Sequence, residues 1–181
     1  MDKKIQSCFE DLSSTDKEKQ ISAYQTILKV TEEPVEWAYE VWDDLKNDLQ
    51  HKNNHRRSRA AQFLASLAIS DPDNRMLDDF SEVWNVTYDE KFVTARHSLQ
   101  SIWKVALAGD EQKELVLQHL TKRFKECVEE KNFTLTRFDI IENFKKIYDV
   151  QQDKQLREIS LELIDSVEEP KYKKKYLAVW K

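Results

Sequence analysis

Apolar residues recur at helical spacing along most of the chain, and one arrangement of them repeats. In the stretch RRSRAAQFLASLAIS (56–70), Ala60, Leu64 and Leu67 lie at positions i, i+4 and i+7, the spacing of one buried face of an α-helix. The same small-then-large pattern recurs at Ala23, Ile27 and Val30 and at Ala95, Leu99 and Ile102, with weaker copies at Arg137, Ile141 and Phe144 and at Ser160, Ile164 and Val167. Successive copies begin at positions 23, 60, 95, 137 and 160, so the first three steps are 37, 35 and 42 residues and the last is 23. A period of about 40 residues is typical of repeats built from two helices.

A second set of amphipathic helices is predicted between these copies. The segments are 34–49, 74–86 and 111–128, and the first two share a phrase, YEVWDDL and SEVWNVT. Helix breakers punctuate the chain at Pro34, Pro72, Gly109 and Pro170. We therefore predict a single domain, whose approximate units are 1–31, 32–70, 71–108, 109–149 and 150–181. Because VTEEP (30–34) matches VEEP (167–170), we expect YKKKYLAVW to begin a further unit whose partner helix is missing.

The composition indicates a folded, nearly all-helical protein. Apolar residues make up 40% and charged residues 35% of the 181, with three Pro and one Gly. A single Gly cannot supply the glycine-rich loops in which a backbone approaches a phosphate group closely. The sequence therefore excludes P-loop enzymes and enzymes with the dinucleotide-binding fingerprint.

Charge and cysteine usage narrow the possible partners and the compartment. The formal net charge is −5, so no field draws the whole molecule to phosphate backbones, although local basic patches are compatible with this charge. Cys8 and Cys127 are far apart and form no CxxC motif, which is typical of incidental thiols in a reducing compartment. No apolar run has the length of a signal peptide core or of a membrane span. We expect a soluble cytoplasmic protein that is a monomer and binds no membrane.

Residues 53–67, NNHRRSRAAQFLASL, resemble the second helix of a HEAT repeat. The resemblance rests on Asn53, Arg57, the pair Ala60-Ala61, and the two leucines Leu64 and Leu67. It implies an all-α, right-handed α-α superhelix, or solenoid, of about four HEAT-like helix pairs plus a C-terminal helix. Other residues stand where the other copies would carry the family's arginine, namely Gln20, Phe92 and Thr134. A continuous Asp/Arg ladder between repeats is therefore not expected.

In solenoids of the HEAT family the second helices line the concave surface, which gives a set of candidate partner-binding residues. The exposed positions would lie between the buried positions of each copy. They are Arg56, Arg59, Gln62 and Ser66 from one repeat, His97, Gln100 and Lys104 from the next, and Asp139, Asn143 and Lys146 from the fourth. The principal candidates for contact with a protein or peptide partner are Arg56, Arg59, Gln62, His97, Gln100, Lys104 and Asn143.

The sequence contains no motif that indicates catalysis, a metal or a cofactor. His51 and His55 are four apart, but Asn53-Asn54 is a turn signal, so we predict a solvated turn there rather than a metal pair. Cys127 is the more exposed thiol candidate in the stretch FKECVEE. Trp42 and Trp84 fall in register with apolar neighbours and are predicted core residues, whereas Trp37 and Trp180 are candidates for exposure.

The predicted function is non-catalytic protein binding or scaffolding through the concave face. Two alternatives stay open. Basic clusters at HRRSR (55–59) and KYKKKY (171–176) allow a nucleic-acid-binding or DNA-repair protein resembling the HEAT-like alkylpurine DNA glycosylases, whose groove would gather Arg56, Arg59, Lys104 and a tryptophan around Asp139. The chain could also be a subunit of a larger assembly that binds through an exposed terminal repeat, involving Tyr176 and Trp180.

Overall fold

The computed structural model describes all residues from Met1 to Lys181, and its regular secondary structure is entirely helical. Helix makes up 78% of the chain and no strand is present, which confirms the all-α prediction. The ten α-helices are α1 (Lys3–Asp11), α2 (Lys17–Val30), α3 (Ala38–Asp48), α4 (Asn54–Leu67), α5 (Arg75–Asn85), α6 (Phe92–Leu99), α7 (Asp110–Glu126), α8 (Phe133–Gln151), α9 (Lys154–Asp165) and α10 (Pro170–Leu177). Short 3₁₀ helices lie at Ala68–Ser70, Val86–Tyr88, Ile102–Leu107, Cys127–Glu129 and Ala178–Trp180.

Acidic and amide side chains mark the starts of four helices. Asp2, Asp16, Asn53 and Asp153 each accept a hydrogen bond from a backbone N–H in the first turn, at distances between 2.8 and 3.0 Å. The predicted turn between His51 and His55 is confirmed, because α3 ends at Asp48 and α4 begins at Asn54.

The three predicted intervening helices correspond to α3, α5 and α7. Helix α3 begins at Ala38, four residues later than the predicted start at Pro34. The Val35 N–H donates to Ser70 Oγ at 2.9 Å, so the start of this segment is held against the end of the same unit instead of continuing the helix.

Most helices contact a neighbour in sequence, and from α2 onward alternate helices also contact each other. Helices α2, α4, α6, α8 and α10 meet in that order, and α3, α5, α7 and α9 form a parallel series of contacts. We call α2, α4, α6, α8 and α10 the second helices. We call α1, α3, α5, α7 and α9 the first helices. Polar side chains join successive first helices: Trp42 Nε1 donates to Asp79 Oδ2 at 2.8 Å, and Lys46 Nζ lies 2.5 Å from Asp79 Oδ1. These links connect residues 37 and 33 positions apart.

Helix α4 lies at the centre of the molecule. Every residue from Ala60 to Ala68 is buried, and the core is one cluster that extends from Ile5 to Tyr176. Ala60, Ala61 and Ala65 have small side chains, which allow neighbouring helices to approach α4 closely on several sides. Trp42 and Trp84 belong to the same core, as predicted.

Two residues expected at the surface are buried. Trp37 is 9% exposed because α1 covers it, with the Phe9 and Trp37 ring centroids 5.9 Å apart. Cys127 is 2% exposed, and burial raises the pKa of its thiol, so the prediction of a more exposed thiol at this position is wrong.

The aromatic residues at the C-terminus also pack inward. Tyr176 is fully buried against Phe124, and its hydroxyl donates to the Thr134 carbonyl at 2.9 Å. Trp180 is half-buried and donates from Nε1 to Ser160 Oγ at 2.9 Å. Exposure of these two rings as an apolar end patch is therefore not observed. None of the helices combines the length and the apolar run that a membrane crossing requires.

Candidate partner-binding face

A row of polar contacts joins the second helices side by side. The Tyr24 hydroxyl on α2 donates to Gln62 Oε1 on α4 at 2.6 Å. Further along the same helices, Thr31 Oγ1 and Ser66 Oγ are 2.7 Å apart. Lys104, on the 3₁₀ helix that follows α6, donates from Nζ to the same Ser66 hydroxyl at 3.0 Å. We call the surface that follows this row from α2 to α10 the second-helix face.

The row continues from α6 to α8 through a buried ion pair. Arg96 Nε and Nη2 each lie 2.7 Å from one oxygen of Asp139, and Gln100 Nε2 donates to Asp139 Oδ1 at 3.0 Å. Asp139 is fully buried, so Arg96 compensates its charge and Gln100 contributes one further hydrogen bond, both from the preceding pair.

Asn143 ties α8 to the point where α6 ends. Its Nδ2 donates to the Leu99 carbonyl at 2.9 Å, and its Oδ1 accepts from the Trp103 N–H at 2.8 Å. Backbone groups at a helix end lack intrahelical partners, and the Asn143 amide satisfies two of them here. Asn143 therefore stabilises the change from α-helix to 3₁₀ helix in the third pair.

Several predicted face residues are buried in these contacts. Gln62, Ser66, Asp139 and Asn143 are between 0% and 8% exposed, so the prediction that they point into an open groove is wrong. The physical reason is close packing: α2 and the 3₁₀ helix Ile102–Leu107 come together over α4, and α8 packs directly on α6. Each of these four side chains makes at least one hydrogen bond to a neighbouring helix or turn, and Gln62 and Asn143 also bond within their own helices.

The two predicted arginines of α4 also bond within the molecule. Arg56 pairs with Asp48 across the α3–α4 turn, at 2.9 and 2.6 Å, and does not reach the second-helix face. Arg59 is half-buried and donates to the Leu12 carbonyl at 2.7 Å and to Gln20 Oε1 at 2.8 Å. Since Asp139 is buried with Arg96, these arginines and this carboxylate do not gather around one groove as the glycosylase resemblance requires.

The remaining predicted residues are accessible on the second-helix face. His97 is exposed, and Gln100, Lys104 and Lys146 are partly exposed. Helical spacing places Val93, which is 62% exposed, on the same stripe as His97. Burial lowers the pKa of the Lys104 ammonium; the charge of Glu32 opposes this shift and the charge of Lys146 adds to it.

A cavity of about 480 Å³ lies between α8 and α10 at the C-terminal end of this face. Lys145, Lys146 and Lys175 line it together with Phe138 and the acidic Glu142. Lys175 Nζ lies 4.8 Å from the centre of the Phe138 ring, a cation–π contact. Lys145 is paired with Asp149 at 2.6 Å, whereas Lys146 and Lys175 have no carboxylate within 4.0 Å.

Sequence reasoning did not single out Phe138 and Lys175. The KYKKKY cluster was recognised as basic, but its members point to different partners: Lys173 pairs with Asp165 on α9, while Lys175 lines the cavity. The signal that separates them is the register of the buried Tyr176 on α10, which fixes the orientation of the neighbouring lysines.

The first helices carry a larger cavity, of about 880 Å³, between α7 and α9. Aromatic residues fill the corresponding spaces between earlier first helices, as Trp42 does between α3 and α5. The apolar residues that line the α7–α9 cavity are all aliphatic, namely Leu117, Leu156 and Ile159. No group of three or more His, Cys, Asp or Glu side chains is arranged to hold a metal ion.

Comparison with known proteins identifies a structural likeness and no family. No family model matches the chain, and no curated protein matches it. The crystal structure of an engineered protein is similar over 99% of this chain and 78% of its own, with 16% sequence identity and a TM-score of 0.53. A second engineered protein matches over 99% of this chain and 47% of its own, with 17% identity and a TM-score of 0.46. The first likeness concerns the fold alone.

Proposed function

We propose that this protein is a non-catalytic helical repeat module of the HEAT type that binds a protein or peptide partner on its second-helix face. The proposed architecture is a right-handed superhelix of five helix pairs, with α9 and α10 as the last pair. The ordered contacts among second helices and among first helices support this arrangement, because each unit of a solenoid contacts only its neighbours. In it, α10 is the second member of a pair rather than the start of a further unit.

The proposal rests on a contrast between two groups of side chains on the second-helix face. One group forms hydrogen bonds that join neighbouring helix pairs, and the other is exposed and forms none. Gln62, Asp139 and Asn143 interlock the helices and hold the surface in one shape. His97 makes no hydrogen bond or ion pair, and Val93 leaves an apolar side chain in solvent beside it. A rigid surface with free polar and apolar groups can bind a partner without losing much conformational entropy of its own.

A displayed library of random peptides tests the proposal. Peptides selected on the intact chain are expected to lose at least about tenfold in affinity when Val93→Asp and His97→Asp are introduced together. The control adds the same two negative charges on the first helices, at exposed Ser81→Asp and Gln118→Asp, and is expected to leave binding unchanged. Selected peptides that bind both variants as well as the original chain would contradict the proposal.

A further inference from the structure

The C-terminal part of the chain differs in charge from the rest. Residues 131–181 contain eleven Lys or Arg and nine Asp or Glu, a net charge of +2, although the whole chain carries −5. Helices α8 and α10, which form the C-terminal end of the second-helix face, lie in this segment. An acidic partner would therefore be drawn to this end of an otherwise acidic molecule.

The cations on the second-helix face fall into two groups. Arg96, Lys29 and Lys145 each pair with a carboxylate, namely Asp139, Glu32 and Asp149. Lys104, Lys146 and Lys175 make no such pair, and Lys104 bonds only to the neutral Ser66 hydroxyl. Three ammonium groups on one face thus lack the carboxylates that other cations of the same face have.

Lys146 lies between the other two lysines in this arrangement, because it is connected to each of them. The charge of Lys146 acts on Lys104, and Lys146 and Lys175 line the same cavity between α8 and α10. Phe138, Ala178 and Val179 form the apolar part of its wall. The cavity therefore combines apolar surface with cationic groups at its rim, which suits a short segment carrying both carboxylate and apolar side chains.

We propose, on the basis of the proposed protein-binding function, that the cavity between α8 and α10 binds an acidic peptide segment of a partner, with Lys146 and Lys175 contacting its carboxylates and Lys104 extending the site toward α4. A peptide fits better than a nucleic acid because Glu142 lies in the cavity wall and Glu32 lies near Lys104. Neutralising successive phosphates needs an uninterrupted basic surface, and these carboxylates interrupt it.

The direct test is fluorescence anisotropy with three labelled probes: a short peptide of alternating Glu and Leu, the same peptide with Gln in place of Glu, and an oligothymidylate of equal charge. The Glu peptide is expected to bind at low salt, more weakly at physiological salt, and at least about tenfold more tightly than the Gln peptide. The double variant Lys146→Glu with Lys175→Glu is expected to lose about tenfold or more in affinity for it.

The matched control is Lys122→Glu with Lys125→Glu, two exposed lysines of α7 that make no ion pair. It changes the net charge equally and is expected to bind the Glu peptide much better than the cavity variant does. Equal losses in the two variants, no binding of the Glu peptide at low salt, or tighter binding of the oligothymidylate would each overturn the acidic-peptide site. If library peptides still depend on Val93 and His97 in that case, only the acidic occupant fails; if they do not, the proposed function fails as well.

Discussion

Arg96 and Asp139 form a two-point ion pair that joins the third helix pair to the fourth. Both oxygens of the fully buried Asp139 carboxylate lie 2.7 Å from guanidinium nitrogens of Arg96. Arg57 and Asp89 repeat this geometry one step earlier, at 2.6 and 2.9 Å. Two Arg–Asp pairs therefore connect successive units. Arg57 extends from α4 and Arg96 from α6, each to a carboxylate of the following unit.

Removal of Arg96 alone is expected to destabilise the protein strongly. In Arg96→Met the buried Asp139 keeps only Gln100 as a polar partner, and an uncompensated buried charge costs about 3–5 kcal/mol. Urea unfolding, monitored by circular dichroism, is expected to show a lower midpoint and an unchanged slope.

The double variant Arg96→Met with Asp139→Leu provides the internal control for this pair. With both charges gone no buried carboxylate remains, so most of the lost free energy of unfolding is expected to return. A single variant that unfolds within about 1 kcal/mol of the original chain would show that Asp139 does not depend on Arg96.

These two arginines also show what the sequence could and could not predict. Arg57 lies three residues before Ala60 and was identified from the HEAT pattern, whereas Arg96 lies one residue after Ala95, outside that register. The local spacing of apolar residues predicts helices and their buried sides, because it depends on the geometry of one helix. Whether the Arg96 guanidinium meets a carboxylate depends on how two pairs are placed, which spacing within one helix does not determine.

The same limit explains the mixed outcome for the candidate site. Gln62 and Asn143 were placed on the same face as His97 and Lys104 by helical register, yet the first two are buried and the last two are accessible. The distance of the neighbouring second helix decides between these outcomes, and that distance is a property of the whole packing. Lys175 is a further example, because its cavity exists only where α10 meets α8.

Acidification is expected to destabilise the protein partly through Asp89. Burial by itself raises the pKa of this carboxyl, but hydrogen bonds from Arg57 and from the Lys91 N–H outweigh burial and lower the pKa below its ordinary value. A carboxyl whose folded pKa is lowered stabilises the fold above its unfolded pKa of about 3.9, and this contribution is lost as the pH falls through the folded value.

Urea unfolding of the original chain and of Asp89→Asn at pH 7 and at successively lower pH checks this linkage. Asp89→Asn is expected to be less stable at neutral pH and to lose less stability than the original chain below about pH 4. Asp73→Asn, at an exposed carboxylate without an ion pair, serves as the control and is expected to follow the original chain. If the stabilities of Asp89→Asn and the original chain change with pH in parallel, Asp89 does not contribute to acid unfolding.

Alkaline conditions are expected to act on Tyr176. Burial raises the pKa of its phenol to about 12, and the hydroxyl donates to the Thr134 carbonyl. Because the folded pKa is raised, the stabilisation is complete below the unfolded pKa of about 10 and is lost as the pH rises towards 12. Tyr176→Phe removes one buried hydrogen bond and is expected to cost about 1 kcal/mol at pH 7.

The pH dependence above 10 distinguishes this hydroxyl from a simple loss of packing. The unfolding temperature of Tyr176→Phe, measured between pH 9 and pH 11, that is, about one unit below and one unit above the ordinary tyrosine pKa, is expected to fall less steeply than that of the original chain. Tyr172→Phe on the same helix is the matched comparison. Identical alkaline slopes for Tyr176→Phe and the original chain would mean that the Tyr176 phenol does not ionise with unfolding.

Lys104 is expected to reduce the stability of the protein at neutral pH. Burial lowers the pKa of its ammonium, which means that the folded state disfavours the charged form relative to the unfolded chain. The resulting destabilisation is present below the folded pKa and disappears as the pH rises to the unfolded pKa of about 10.4. Lys104→Met keeps the aliphatic stem, so the variant is expected to unfold at a higher temperature at pH 7, with a gain that shrinks towards pH 10.

Thermal stability and peptide binding are expected to change in opposite directions in Lys104→Met. A residue that destabilises the fold and contributes to binding follows the usual compromise between stability and function at interaction sites. Lys104→Met is therefore expected to gain thermal stability and to bind the Glu peptide more weakly than the original chain does. Lys146→Met, at the partly exposed lysine on α8, is expected to lose binding without a comparable gain in stability. A Lys104→Met protein that is less stable at pH 7 would show that the bond to Ser66 outweighs burial of the ammonium, and the lysine would then be part of the scaffold.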